Sequence, residues 1–155
     1  MTTIQWTKKP RFNHVAMSVP GELLNADNRT LLTDFYREVF GWEELPTETV
    51  DGKKLVFGAY QIDQFVFLIA DDPPMTCARL DHYGIAVYDQ ADFDGILERA
   101  QAYRRRDDRV EIIDKKVEDH GILSITSCYI RYLLPMMVEV QWWEFDEPRP
   151  DGARA

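Results

Sequence analysis

Two histidines occupy the same place in two similar segments, FNHVAMSV at 12–19 and LDHYGIAV at 80–87. Both segments alternate like strands, so His14 and His82 are equivalent positions of an internal repeat. A third candidate, Glu139, lies in the apolar run MMVEVQWW. A carboxylate there is costly to bury unless it meets a cation, a metal or hydrogen-bond donors. Two neutral imidazoles and one carboxylate form such a partnership. The set matches a three-ligand site for one divalent ion that keeps coordination positions open, which suits Fe(II) first and Mn, Ni, Co, Zn or Mg as well. A single strand histidine is ordinarily a hydrogen-bonded core residue. Recurrence at equivalent positions, together with a strand glutamate, shifts the balance towards ligands.

Strand parity supports space in front of these groups. His14, Ala16 and Ser18 share one face, and Val15, Met17 and Val19 share the other. His82, Gly84 and Ala86 share one face, against Tyr83, Ile85 and Val87. The bulky sets belong on a helix, and the small neighbours of the histidines leave room for a cavity. Glu139 shares its face with Met137, Gln141 and Trp143, opposite Val138, Val140 and Trp142.

The elements that must position these residues also repeat. After the first segment come a polar loop, PGELLNADNRT, and a helical spacing through Leu32, Phe35, Tyr36, Val39 and Phe40, stopped by Gly41. After the second, Asp89 is a candidate N-cap for a helix carrying Phe93, Ile96, Leu97 and Ala100. The period then returns to two: EELPTET, KLVFGAY and QFVFLIA in the first half, and VEIIDKKV, LSITSCYIRY and MMVEVQWWEF in the second. The expected fold is α+β, with a first βαβββ module at 10–70 and a second at 80–145. Residues 71–79, with Pro73 and Pro74, form the boundary, and residues 146–155 are an expected disordered tail. Each unit leaves one sheet face uncovered. Paired modules would form a cupped, mixed β-sheet with helices outside and the site inside.

Composition excludes several function classes. The chain of 155 residues has a formal net charge of −9, which opposes binding to a phosphate backbone, so no nucleic-acid partner is expected. Its basic run Arg104–Arg106 is followed by Asp107 and Asp108 and reads as a solvated helix end. No apolar run is long enough to span a membrane, and no signal peptide is evident, so the expected location is cytoplasmic. Cys77 and Cys128 are too few for a disulfide framework. Both read as buried or incidental thiols.

The repeat, the His pair and the late Glu together resemble the vicinal-oxygen-chelate superfamily, the group of glyoxalases, bleomycin-resistance proteins and extradiol dioxygenases. The resemblance spans about residues 10 to 145. It implies that the first and last strands of each module supply ligands. His14, His82 and Glu139 fill three of those four positions, and Phe67 or Phe65 stands near the fourth, where glyoxalases commonly place a Glu. The second module also resembles the extradiol pattern through His120, Tyr129, Pro135 and Glu139, which implies catalytic roles for Tyr129 and His120. No His lies between His14 and His82 to act as the acid–base His of those dioxygenases.

The resemblance implies a divalent-metal enzyme acting on a small molecule with neighbouring oxygens, dioxygenase-like first and isomerase, lyase or epimerase second. Two further readings are a metal-free sequestering protein like the bleomycin-resistance members, and a thiol transferase like the fosfomycin-resistance enzymes. The latter would need a basic surface that this acidic chain lacks. Phe65, Phe67 and Trp143, with Tyr129, suit a flat apolar substrate pocket. The apolar turn YLLPMM suits burial against a partner or over a pocket. A homodimer is therefore expected, with this turn or the Trp-rich last strand near its interface.

Overall fold

The computed structural model describes residues 11–45 and 52–146. The first half runs β1 (His14–Val19), a 3-10 turn (Gly21–Leu24), α1 (Ala26–Phe40), β2 (Glu43–Glu44), β3 (Lys54–Gly58) and β4 (Phe65–Ala70). The second runs β5 (His82–Val87), α2 (Gln90–Arg104), β6 (Glu111–Asp119), β7 (Leu123–Arg131) and β8 (Met137–Phe145). Each half is a βαβββ unit with a four-stranded mixed sheet, ordered β1-β4-β3-β2 and β5-β8-β7-β6. In each, the first strand runs parallel to the last, which is why a helix must make the crossover. Most of the expected strand EELPTET, and the tail beyond Asp146, lie outside the described residues.

Local chemistry explains the helix ends. The Asn25 side chain accepts from the Asn28 amide at 3.0 Å, so α1 begins at Ala26, inside the segment expected to be a polar loop. Gly41 closes α1 at φ 71°, a conformation that favours glycine. The Asp89 side chain caps α2 through the Asp92 amide at 2.8 Å, as its sequence position suggests.

Side-chain parity follows the expected division. Met17, Val19, Val138 and Val140 are buried, while His14, Ala16, His82, Gly84 and Ala86 are exposed. The buried side chains of both halves merge into one core, and α1 packs directly on α2. Among the described residues, no ladder joins β1 to β5, and each of these strands keeps its histidine-bearing side exposed.

The YLLPMM turn departs from expectation. Tyr132 is 0% exposed and Leu134 3%. The Tyr132 ring lies 4.6 Å from Phe35 and 5.5 Å from Tyr103, and its carbonyl accepts from the Tyr36 hydroxyl at 3.2 Å. The Tyr132 hydroxyl donates to Asp107 at 2.6 Å. Asp107 also meets Arg109, whose hydrogen bond is the main reason its carboxyl is held below the usual carboxylate range. Tyr132 and Leu134 are therefore covered within their own chain, with α1 and α2 packed on the Tyr132 ring, so the turn is not the fully exposed apolar tip that its sequence suggests. Its apolar tip clamps one module to the other. No helix among the described residues is long and apolar enough to cross a membrane.

One buried polar atom stands out. The Tyr83 hydroxyl has no hydrogen-bond partner among the described residues, and burial pushes its pKa well up. An orphaned hydroxyl costs about 1–3 kcal/mol in desolvation. Tyr83→Phe is expected to leave stability unchanged or raise it by about 1 kcal/mol. Urea denaturation measures this, and a clear loss of stability would mean that the hydroxyl is satisfied.

Candidate functional site

The second sheet brings three candidates together on its open face. Gly84 in β5 and Tyr129 in β7 flank Glu139 in β8 as register partners. The Tyr129 hydroxyl donates to Glu139 Oε1 at 2.7 Å. That hydrogen bond, with burial second, pushes the Tyr129 phenol up to about 12, so it is a proton donor at neutral pH. His82 Nε2 lies 3.4 Å from Glu139 Oε2, and its ring meets Tyr129 edge-on at 5.1 Å. A side chain at Gly84 would begin 3.7 Å from Glu139 Oε2, so the glycine keeps that side of the carboxylate open.

The tautomer of His82 follows from its other nitrogen. Nδ1 lies 2.7 Å from the Leu80 carbonyl, which only accepts, so Nδ1 carries a hydrogen. In the neutral ring, Nε2 then presents a lone pair to the carboxylate. Two acceptors 3.4 Å apart form a donor pair that a metal ion placed beside them could satisfy. Glu139 is only 8% exposed, while His82 reaches solvent. A backbone carbonyl holding the distal nitrogen is also how metal-binding imidazoles are commonly oriented.

His14 is not part of this group. It lies on β1 of the other sheet, stacked on Phe65 at 4.9 Å, with Nδ1 2.9 Å from the Asn13 carboxamide oxygen. Its Nε2 is likewise free for a ligand. Among the described residues, no three His, Cys, Asp or Glu side chains are placed to hold one metal ion. The three-ligand set read from the sequence is therefore split in a single chain, into His82 with Glu139 and His14 apart. The donor types fit a divalent ion, and the geometry of one chain supplies two of the three.

The other candidates separate too. His120 is exposed at the β6–β7 hairpin tip, beside Glu118. Its neighbour Asp119 pairs with Ser124, five residues along β7 from Tyr129, which is about 17 Å of strand. This separates His120 from Glu139. Phe65 and Phe67 are half-buried on the first sheet and Trp143 on the second. A cleft of about 710 Å³ runs between β1 and β5. His14 and Phe65 lie on one side and Gly84 and Ala86 on the other, with Trp42 and Tyr83 also in its wall. A second cleft of about 690 Å³ along α1 and α2 is lined largely by charged groups such as Arg106 and Glu38, which pair with each other. Cys128 is buried, and burial pushes its thiol up to about 12. Sequence reading missed the Leu80 carbonyl and Asn13 because their roles depend on how each histidine ring turns. Their position one or two residues before each His was the only signal.

No family model matches the chain, and no curated protein matches it. Solved structures do. A lactoylglutathione lyase from Agrobacterium tumefaciens is 21% identical, with a TM-score of 0.59 over 87% of this chain and 96% of that one. A fosfomycin resistance protein from Listeria monocytogenes is 16% identical, with a TM-score of 0.57 over 87% and 94%. A glyoxalase/bleomycin resistance protein from Albidiferax ferrireducens is 12% identical, with a TM-score of 0.58 over 84% and 98%. The chain thus has the fold of these glyoxalase-like proteins over most of its length.

Proposed function

We propose that this protein is a divalent-metal-dependent enzyme of the vicinal-oxygen-chelate superfamily that acts on a small, apolar or aromatic molecule with neighbouring oxygens. The observation that carries the reading is the His82–Glu139 pair, two acceptors 3.4 Å apart with the imidazole oriented by the Leu80 carbonyl. His82 and Glu139 would hold the ion, and His14 would be the third ligand. A bound divalent ion supplies Lewis acidity towards two adjacent substrate oxygens. Tyr129 orients Glu139 and holds a proton about one hydrogen bond from the site, where it can be given to an oxyanion. Dioxygenase-like chemistry with Fe(II) stands first, and an isomerase or lyase using Mn, Ni, Co or Zn second. The distance of His120 from Glu139 leaves Tyr129 as the proton-carrying side chain nearest the pair.

The split ligand set supports a homodimer. His14 and Phe65 stand on an open face, His82 and Glu139 on another, and β1 and β5 are terminal strands of their sheets. The first module of one copy closing on the second module of another would join the three ligands. The apolar exposed side chains Phe12, Tyr60 and Tyr88 near the cleft suit such a contact.

Elemental analysis of protein purified without chelators tests the metal. About one equivalent per chain is expected, iron pointing to oxygen chemistry and other ions to isomerase or lyase chemistry. A parent that neither contains nor takes up metal would leave a ligand-binding protein with this fold. Mixing chains tests the assembly. His14→Ala and Glu139→Ala are each expected to lack metal, and mixed dimers of the two to regain it in one of their two sites. No regain in mixed dimers would place the whole site in one chain.

A further inference from the structure

Gln141 lies two residues beyond Glu139 on the same open face of β8, flanked by Ser127 in β7 and Ala86 in β5. Trp143 Nε1 donates to Gln141 Oε1 at 2.9 Å. An indole N–H only donates, so the Trp143 contact settles which end of the carboxamide is which. The amide nitrogen is turned away from Trp143 and has no hydrogen-bond partner among the described residues. Ala86 on the β5 side is small and exposed, whereas Ser127 on the β7 side is buried, so Gln141 is open towards β5. The next strand presents Lys116, but its ammonium is held by Glu118 at 2.6 Å. The row therefore offers an oriented, uncharged donor and a neutralised ion pair, in a chain of net charge −9. Such a row suits an uncharged acceptor better than a carboxylate.

We propose that Gln141 is a specificity-determining residue whose amide N–H donates to a neutral carbonyl oxygen of the ligand. Trp143 is its positioning residue. Two residues of strand place this donor about 7 Å from Glu139. The ligand would thus carry a ketone, ester or amide across a ring from the pair of oxygens bound beside Glu139. This rests on the reading that the open face of the second module is the ligand site.

The test uses two catechols on the full-length protein loaded with Zn(II). One is 3,4-dihydroxyacetophenone, with a ketone across the ring. The other is 4-isopropylcatechol, of similar shape but without the acceptor. Because the acetyl group also acidifies the catechol, the contact is read as the change in the ketone-to-hydrocarbon affinity ratio between the parent and Gln141→Met, expected by calorimetric titration to be about fivefold, the scale of one net hydrogen bond. Gln141→Met should lower that ratio about fivefold, and Trp143→Phe should lower it less. The side-chain amide signals of Gln141 in nitrogen-15 spectra should shift with the ketone and not with the hydrocarbon analogue. The same ratio in the parent and in Gln141→Met overturns the role of Gln141 and leaves the ligand site standing. Failure of both catechols to bind overturns the ligand-site reading, and the inference with it.

Discussion

Glu139→Gln is expected to lower divalent-metal affinity by at least about 100-fold while leaving the metal-free protein as stable as the parent, or more so. The substitution keeps the side chain's size and an oxygen to accept from Tyr129. It removes a negative charge that is nearly buried and faces the lone pair of His82 across 3.4 Å. Burying that charge costs free energy in the metal-free chain, and metal binding returns it. The two expectations pull apart the roles a buried glutamate can have. A structural glutamate would be missed in the absence of metal, and a ligand would be missed only in its presence. Competition with a chromophoric chelator reads the affinity, and denaturant unfolding with and without metal reads the stability. Undiminished affinity would remove Glu139 from the ligand set. A metal-free loss of more than about 2 kcal/mol would make its role structural.

Tyr132→Ala is expected to cost about 4 kcal/mol of stability, the scale of emptying a large aromatic site in a packed core. The ring is fully buried between Phe35 of the first module and Tyr103 of the second, so its removal leaves a cavity where the modules meet. Tyr132→Phe isolates the hydroxyl. It should cost about 1 kcal/mol, because Asp107 keeps its bonds to Arg109. Urea denaturation of the two variants separates cavity from hydrogen bond. A loss below about 2 kcal/mol for Tyr132→Ala would show that the clamp contributes little and that other core contacts hold the modules together.

Much of the fold is legible without coordinates because it depends on short-range repetition. The change of period from two to 3.6 and back marks strand, helix and strands in each half, since a side chain's face is set by its distance along its own element. The same parity puts the bulky set of each first strand towards the helix and His14 and His82 towards open space, which the observed burial follows. Glu139 was conspicuous for an equally local reason, a charge within an apolar strand. Even the start of α1 was written locally, in Asn25, but a polar stretch reads as loop and cap alike.

The sequence by itself determined the two modules, the faces of their strands and the types of donor available. Tertiary structure alone decided which donors meet. Tyr129 and Gly84 flank Glu139 because of strand register, and Leu80 fixes His82 through a carbonyl every residue possesses. His14 stands apart because the two modules meet through α1, α2 and the Tyr132 turn. That same docking covers Tyr132 and Leu134 of an apolar hairpin tip within their own chain. Periodicity encodes which side of an element is apolar. What covers that side is set by contacts between residues far apart in the chain, and no local pattern distinguishes a partner in the same molecule from one in another.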